Sequence, residues 1–201
     1  MSESPQIRKK PYHHGGLREV LLTAGEAALA DIPFESVTLR EIARRAGVSH
    51  AAPKHHFPGL GDLLAEVAAR GFDRFVAELA ASAGNTSSQT PEGRLAAMGR
   101  AYLRFAEANP AVYGLMFGKR DQLAVSPHLA TAMMNAWDQL ETAAAQVAGT
   151  TRAAQAAIVI WSSIHGLAML KLAGRTPPNI SLHGLDEQMI RTLIAGLKAE
   201  A

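Results

Sequence analysis

The chain has 201 residues, 48% of them hydrophobic and 19% charged, an ordinary composition for a globular protein of one or two domains. It contains no cysteine, which excludes disulfides, thiolate metal sites and cysteine nucleophiles. A net charge of +2 is only a weak sign of an anionic partner. The first residues lack the apolar run of a signal peptide, and polar residues interrupt the most apolar segment, 153–174. We therefore expect a cytoplasmic protein without a membrane partner.

Residues 1–11 are polar, contain two prolines and show no periodicity, which predicts a disordered arm. Arg8, Lys9 and Lys10 form a basic cluster in this arm. Two interpretations remain open. The cluster gains order on DNA phosphates or in a minor groove, or the arm is a plain solubilising tail.

Apolar residues at helical spacing, from Leu17 to Ala28, predict a first helix that is broken at Ile32-Pro33. Residues 38–57 then contain two shorter helical patterns separated by a tight break. The apolar stripe of the first pattern consists of Leu39, Ile42, Ala43 and Ala46. Thr38 precedes this stripe as a predicted N-cap, and Gly47 follows it as a residue that ends a helix at positive φ.

Ser49 is the predicted N-cap of the second short helix. The inner side of this helix consists of Pro53 and Phe57, and its outer side is small, polar and basic. Two helices joined by such a turn predict a helix-turn-helix, which presents the outer side of its second helix to the major groove of DNA. An ordinary helical corner with exposed polar groups is the alternative. The candidate DNA contacts are Lys10, Thr38, Arg40, Ser49, His50, Ala51, Lys54, His55 and His56.

The pattern T-x-x-x-I-A-x-x-A-G-V-S, followed by H-F, resembles the DNA-binding domain of TetR-type transcriptional regulators over roughly residues 12–80. Lys54 stands where the family usually has an aromatic residue, and Leu60 stands where it usually has a lysine. Both family residues commonly contact phosphates. We therefore expect no such contact from Leu60 and a replacement charge from Lys54. These departures motivate an alternative function, a helical ligand-binding protein that no longer reads DNA.

The rest of the chain is predicted to be helical throughout, beginning with a longer helix over Leu60–Leu79. The polar stretch at 83–90 is the best domain boundary. Helical patterns then cover 91–108, 111–118, 126–148, 152–173 and 185–199, with a Pro- and Gly-containing loop at 174–184. Ser126 is the predicted N-cap of the third of these helices, with Pro127 at its first position. The predicted fold is all-α with about nine helices. A three-helix DNA-binding domain at 12–80 precedes a helical effector-binding and dimerisation domain at 81–201.

Trp161, His165 and Gly166 form a W-x-x-x-H-G motif on one helix. It resembles a C-terminal domain type, named for these residues, of some TetR-type regulators. Core packing alone would explain the motif. The alternative is an effector cavity, since the family binds small apolar ligands among these helices. The candidate cavity residues are Tyr102, Phe105, Tyr113, Met116, Phe117, Met133, Trp137, Trp161 and His165.

The resemblance further implies a homodimer formed through the last two helices, a palindromic operator in double-stranded DNA and repression relieved by a small apolar effector. No cofactor is expected. The pairs His13-His14 and His55-His56 do not predict a metal site, because adjacent side chains diverge by about 100° on a helix. The sequence lacks phosphate-loop, G-x-S-x-G and H-E-x-x-H motifs, so we predict that the protein is not an enzyme; an enzyme that uses the cavity is a third interpretation.

Overall fold

The computed structural model describes residues 14–118, 123–175 and 184–199, and these residues form helices and connecting turns without a strand. The helices are α1 (His14–Asp31), α2 (Leu39–Arg45), α3 (Leu60–Gly84), α4 (Pro91–Ala108), α5 (Pro110–Phe117), α6 (Pro127–Ala148), α7 (Ala153–Leu172) and α8 (Leu185–Ala199). The all-α prediction is confirmed. The predicted arm at 1–11, including Lys10, and most of the predicted loop at 174–184 lie outside the described residues.

Helices α1, α2 and α3 pack around a small apolar core near the start of the chain. Leu21, Ile42 and Leu63 are fully buried there. At Gly25, an added Cβ would lie only 2.8 Å from the side chain of Leu63. The absence of a side chain at this position therefore allows α1 and α3 to approach closely.

Helix α3 is the longest element, with 25 residues and a length of roughly 37 Å at 1.5 Å per residue. Its first turn is fixed by Asp62, whose carboxylate accepts a hydrogen bond from the N–H of Gly59 at 2.8 Å. The sequence pattern predicted its end near Leu79, but the helix continues to Gly84 and so enters the predicted boundary stretch. It packs against α1 in the N-terminal core and against α4, α5 and α6 in the rest of the molecule.

Hydroxyl side chains cap the first turns of two later helices. The Thr90 hydroxyl accepts from the N–H of Gly93 at 3.1 Å, which caps α4, and a proline follows each cap. The Ser126 hydroxyl accepts from the N–H of Leu129 at 3.2 Å, which caps α6 as predicted. Helix α4 contacts α3, α6, α7 and α8, so it forms the centre of this part of the molecule.

Helix α7 has an apolar surface on two sides. One side, centred on Ile160 and Ile164, is buried against the other helices. The opposite side exposes Ile158, Val159, Met169 and Leu170 to about half of their full areas. By length and composition alone, the segment Thr150–Leu172 would suffice to cross a membrane, but core helices of soluble proteins pass the same test. The exposure of these four side chains means that helix α7 is only partly buried within the protomer.

Candidate DNA-binding surface and effector cavity

The turn between the two parts of the helix-turn-helix has the predicted geometry. The Thr38 hydroxyl accepts a hydrogen bond from the N–H of Glu41 at 3.1 Å, which caps α2. Gly47 has a φ of 68°, a conformation that favours glycine, and the N–H of Val48 donates to the carbonyl of Ala43 at 3.0 Å. Both predicted helix signals are confirmed.

The second part of the motif differs from the prediction. It is a short 3-10 helix, Ala52–His55, which begins after Ala51 and has no side-chain cap, so the predicted N-cap role of Ser49 is wrong. The N–H of Ala52 donates to the Ser49 carbonyl at 3.0 Å, across three residues. Pro53 has no N–H for the α-helical bond to that same carbonyl, which favours the tighter turn.

The two sides of this 3-10 helix divide as the pattern predicted. Pro53 and Phe57 are buried, whereas His50, Ala51, Lys54 and His55 are exposed. Thr38, Arg40 and Ser49 are exposed nearby, and His56 is half-buried. The structure thus leaves these candidate DNA contacts open to solvent; the contacts themselves stay predictions.

Carboxylates neutralise part of the basic pattern. Glu41 accepts two hydrogen bonds from Arg44 and one from Arg45, at 2.7–2.8 Å, and Arg45 also pairs with Asp31. The hydrogen bonds from Arg44 and Arg45 lower the pKa of Glu41 to about 2, so this carboxylate stays ionised. Unpaired positive charge must therefore come from other side chains.

Arg40 and Lys54 are exposed and form no ion pair with any residue that the structure describes. They are therefore the two basic groups of the helix-turn-helix that remain available to phosphates. Leu60, by contrast, is half-buried and packs against the core. This position matches the expectation that Leu60 does not replace the lysine of the family.

A second site is a cavity of about 260 Å³ between α3, α4, α5, α6 and α7. Its volume is slightly below the usual range for small-molecule sites, roughly 300–1,000 Å³. Met134 and Trp161, exposed to 59% and 37%, lie on the side where the cavity meets solvent. Its lining residues are Phe72, Phe75, Leu79, Leu95, Met98, Gly99, Tyr102, Phe117, Met133, Met134, Ala136, Trp137, Leu140, Ile160, Trp161 and Ile164.

Five of the nine candidate cavity residues lie in this lining. They are Tyr102, Phe117, Met133, Trp137 and Trp161. Phe105, Tyr113 and Met116 are instead buried in the core, and His165 is half-buried outside the lining. Sequence reasoning missed the contribution of α3, which supplies Phe72, Phe75 and Leu79. Those residues follow a helical period, but they precede the predicted domain boundary at 83–90. They were therefore assigned to the DNA-binding domain and not to the effector-binding domain.

The hydroxyls of two buried tyrosines converge on His165. Its Nδ1 lies 2.7 Å from the Tyr113 hydroxyl and 2.9 Å from that of Tyr102, and the two hydroxyl oxygens are 3.0 Å apart. Burial lowers the pKa of His165, which favours the neutral imidazole, and burial raises the pKa of Tyr102 to about 12. The cluster thus holds the Tyr102 ring in the cavity wall.

A charged cluster connects α6 to α3 and α1. Glu66 pairs with Arg18 and accepts from the Ser126 hydroxyl at 3.0 Å, and its other contact is the Nδ1 of His128 at 3.3 Å. The Nε2 of His128 lies 2.8 Å from a carboxylate oxygen of Asp73. Burial alone would raise the pKa of Glu66, but the bonds from Arg18, His128 and Ser126 outweigh it and lower that pKa.

Family models match both halves of the chain. The model described as bacterial regulatory proteins of the tetR family matches residues 21–67, and the one described as a tetracyclin repressor-like C-terminal domain matches residues 95–193. The second description does not name the Trp-His-Gly type, which stays a resemblance. No curated protein matches the sequence.

Solved structures are similar over nearly the whole chain. A Rhodococcus sp. RHA1 protein of unknown function has 32% identity and a TM-score of 0.81, with 94% of this chain and 100% of that one covered.

Two further structures are similar in fold. The fatty acid degradation regulator FadR of Bacillus halodurans has 12% identity and a TM-score of 0.71, over 91% of this chain and 97% of its own. A TetR/AcrR family regulator of Thermobifida fusca has 17% identity and a TM-score of 0.62, over 89% and 97%. The matches in both halves, together with the helix-turn-helix geometry of residues 38–57, show that the chain belongs to the TetR family of DNA-binding transcriptional regulators.

Proposed function

We propose that the protein is a homodimeric repressor that leaves a palindromic operator when a small apolar molecule fills the cavity. One observation carries this proposal. Helix α3 is continuous from the core of the helix-turn-helix, where Leu63 is buried, to the cavity, where Phe72 and Phe75 form part of the wall. A displacement of that wall is therefore a displacement of the element on which the DNA-binding surface rests.

The DNA-binding role of individual residues is argued from their exposure and charge. Arg40 and Lys54 supply unpaired cations for phosphates, and His50, Ala51 and His55 form the outward surface that suits base edges. Ser49 and Thr38 offer hydroxyls at the rim. In a dimer, two such surfaces about 34 Å apart, or a multiple of that spacing, would read the two halves of a palindrome.

The proposed dimer interface is the outward face of α7 together with α8. Ile158, Val159, Met169 and Leu170 form an apolar surface too continuous for a protein that stays alone in water. At Gly166, in the middle of this face, an added Cβ would have no atom within 4 Å in the protomer. That space suits close approach of a partner helix, as in a four-helix bundle.

Release of DNA follows from linkage. A ligand that binds more tightly to the conformation with low operator affinity shifts the protein toward that conformation and so weakens operator binding. By linkage, bound ligand lowers the operator affinity by the same factor by which bound operator lowers the ligand affinity. Domains at 12–80 and 81–201 would share α3 as their connection, and the Arg18–Glu66–His128 contacts would form a second connection.

The regulator would act in the cytoplasm, where its operator is accessible.

The test has two parts. Footprinting on DNA that flanks the gene for this protein should show a protected inverted repeat, and the variant Lys54→Ala should need more protein for the same protection. Compounds that change the intrinsic fluorescence of the protein should then weaken binding to the protected DNA. Operator affinities that are equal with and without a bound compound would reject the switch, and a missing inverted repeat would reject the repressor.

A further inference from the structure

We infer that the cavity selects uncharged aromatic molecules and rejects organic anions; this inference rests on the proposed effector function and names the chemical class of the effector. The cavity is lined mainly by aromatic rings, thioethers and aliphatic side chains, and the polar groups of Trp137 and Tyr102 already have partners inside the protein. Charge therefore decides which small molecules can enter.

The composition of the wall is the first observation. Of the sixteen described residues that line the cavity, none carries a charge. Six are aromatic and three are methionine, out of eleven aromatic residues and seven methionines in the whole chain. Aromatic rings provide flat surfaces for edge-to-face or offset contacts, and methionine adapts to irregular shapes. Such a wall favours a rigid, flat, apolar ligand.

The polar atoms of the wall are the second observation. The indole N–H of Trp137 donates to the carboxylate of Glu141 at 2.8 Å, and the Tyr102 hydroxyl is bonded to Tyr113 and His165. Neither group is free to neutralise an acidic ligand. The Glu141 carboxylate also places a negative charge beside the wall, which opposes the entry of a second negative charge.

The consequence for an anion is a loss of hydration without compensation. A sulfonate or carboxylate that enters would give up its water and find no cationic partner among the described lining residues. A neutral molecule of the same shape would gain the ring contacts without that loss. Two ligands that differ only in one acidic group should therefore differ strongly in affinity.

Both tryptophans of the chain, Trp137 and Trp161, line the cavity, so intrinsic fluorescence reports its occupancy directly. The two probes are N-phenyl-1-naphthylamine, which is neutral, and 1-anilinonaphthalene-8-sulfonate, which has the same rings and one sulfonate. Titration of the full chain with each probe should give at least tenfold tighter binding of the neutral one. Equal affinities, or tighter binding of the sulfonate, would overturn the charge selection.

A matched pair of lysine variants locates the effect in the wall. Met133 is half-buried in the cavity lining on α6, and Ala130 is exposed on the same helix outside the cavity. Met133→Lys should tighten sulfonate binding at least tenfold, whereas Ala130→Lys should leave both affinities unchanged. Circular dichroism confirms that each variant folds. A sulfonate affinity that rises equally in both variants would place the probe on the surface and overturn the inference.

The result separates this inference from the proposed function. If both probes bind equally well and weaken operator binding, the charge selection is wrong and the ligand-released repressor stands. If the neutral probe binds selectively but operator affinity does not change, the selection stands and the switch is wrong.

Discussion

Lys54 is one of two positions at which the DNA-binding domain departs from the family pattern, and its contribution can be measured through the salt dependence of DNA binding. Each phosphate contact on B-DNA contributes about 0.9 to the slope of log affinity against log salt concentration. A dimer has two copies of Lys54, so Lys54→Ala should reduce the slope by about 1.8. Between 50 and 200 mM salt, wild type would then lose about twelvefold more affinity than the variant.

The assay is fluorescence anisotropy with the protected operator and with a scrambled duplex, at several salt concentrations. Because a phosphate contact carries no base information, the loss should be similar on both duplexes. Arg94→Ala is the matched control, since it removes the same charge from α4, where Arg94 is exposed and donates to the side-chain oxygen of Gln89 at 3.3 Å. An unchanged slope for Lys54→Ala, or an equal change for Arg94→Ala, would refute the phosphate contact.

Three further predictions concern the core, the charged cluster and the dimer. Tyr113→Phe removes a buried hydroxyl bonded to His165 and should destabilise the fold by about 1–2 kcal/mol in urea unfolding. The hydrogen bond to Asp73 raises the pKa of His128, so the stability from this contact should be full below about pH 6.5 and fall as pH rises through the raised value. Ile158→Arg should convert dimer to monomer in sedimentation velocity and abolish footprinting, because it places two charges in the proposed interface.

Each of these predictions has a control. Ser87→Ala removes an exposed hydroxyl outside the core and should leave the stability unchanged. The pH dependence is taken as the difference between wild type and His128→Gln at each pH, which removes the opposite contribution of His165, whose pKa is lowered by burial. A difference that is constant from pH 5.5 to 9 would reject the role of His128. Val125→Arg is the control for Ile158→Arg, because it adds the same charge at a fully exposed residue outside α7. If Val125→Arg is also monomeric in sedimentation velocity, the specific interface is rejected.

The sequence predicted features that depend on neighbours along the chain. Thr38 and Ser126 were recognised as caps because a hydroxyl at the start of a helix reaches an N–H three residues later. Gly47 was recognised because the turn requires positive φ. The buried side of the second part of the helix-turn-helix was predicted from the spacing of Pro53 and Phe57. Local geometry determines all of these features.

Features that depend on packing were not predictable in the same way. The 3-10 geometry of 52–55 arises from a missing N–H and from packing of Pro53 and Phe57, whereas the apolar spacing alone indicated an α-helix. A periodic pattern shows that Phe72 and Phe75 face inward, but it cannot show whether they meet a cavity or a filled core. Contacts between residues as distant in sequence as Arg18, Glu66 and His128 have no local signature.

Within the cavity, the same limitation separates Tyr102 from Tyr113. Both are tyrosines on helices near Trp161, and the sequence gives no reason to place one in the wall and the other behind it. Tyr102 lies on α4 and Tyr113 on α5, so the distinction depends on how these two helices pack. The hydrogen bonds to His165 then hold the Tyr102 ring at the surface of the cavity and the Tyr113 ring in its fully buried position.

The outward apolar face of α7 has a consequence for the abundance of the regulator. If covering Ile158, Val159, Met169 and Leu170 requires a second copy, the free energy of unfolding rises with total protein concentration. A cell that makes few copies would then hold a larger fraction of solitary chains, which bind half-sites weakly and are substrates for proteases. The melting temperature should accordingly increase on concentration, and synthesis rate would set both the number of regulators and their lifetime.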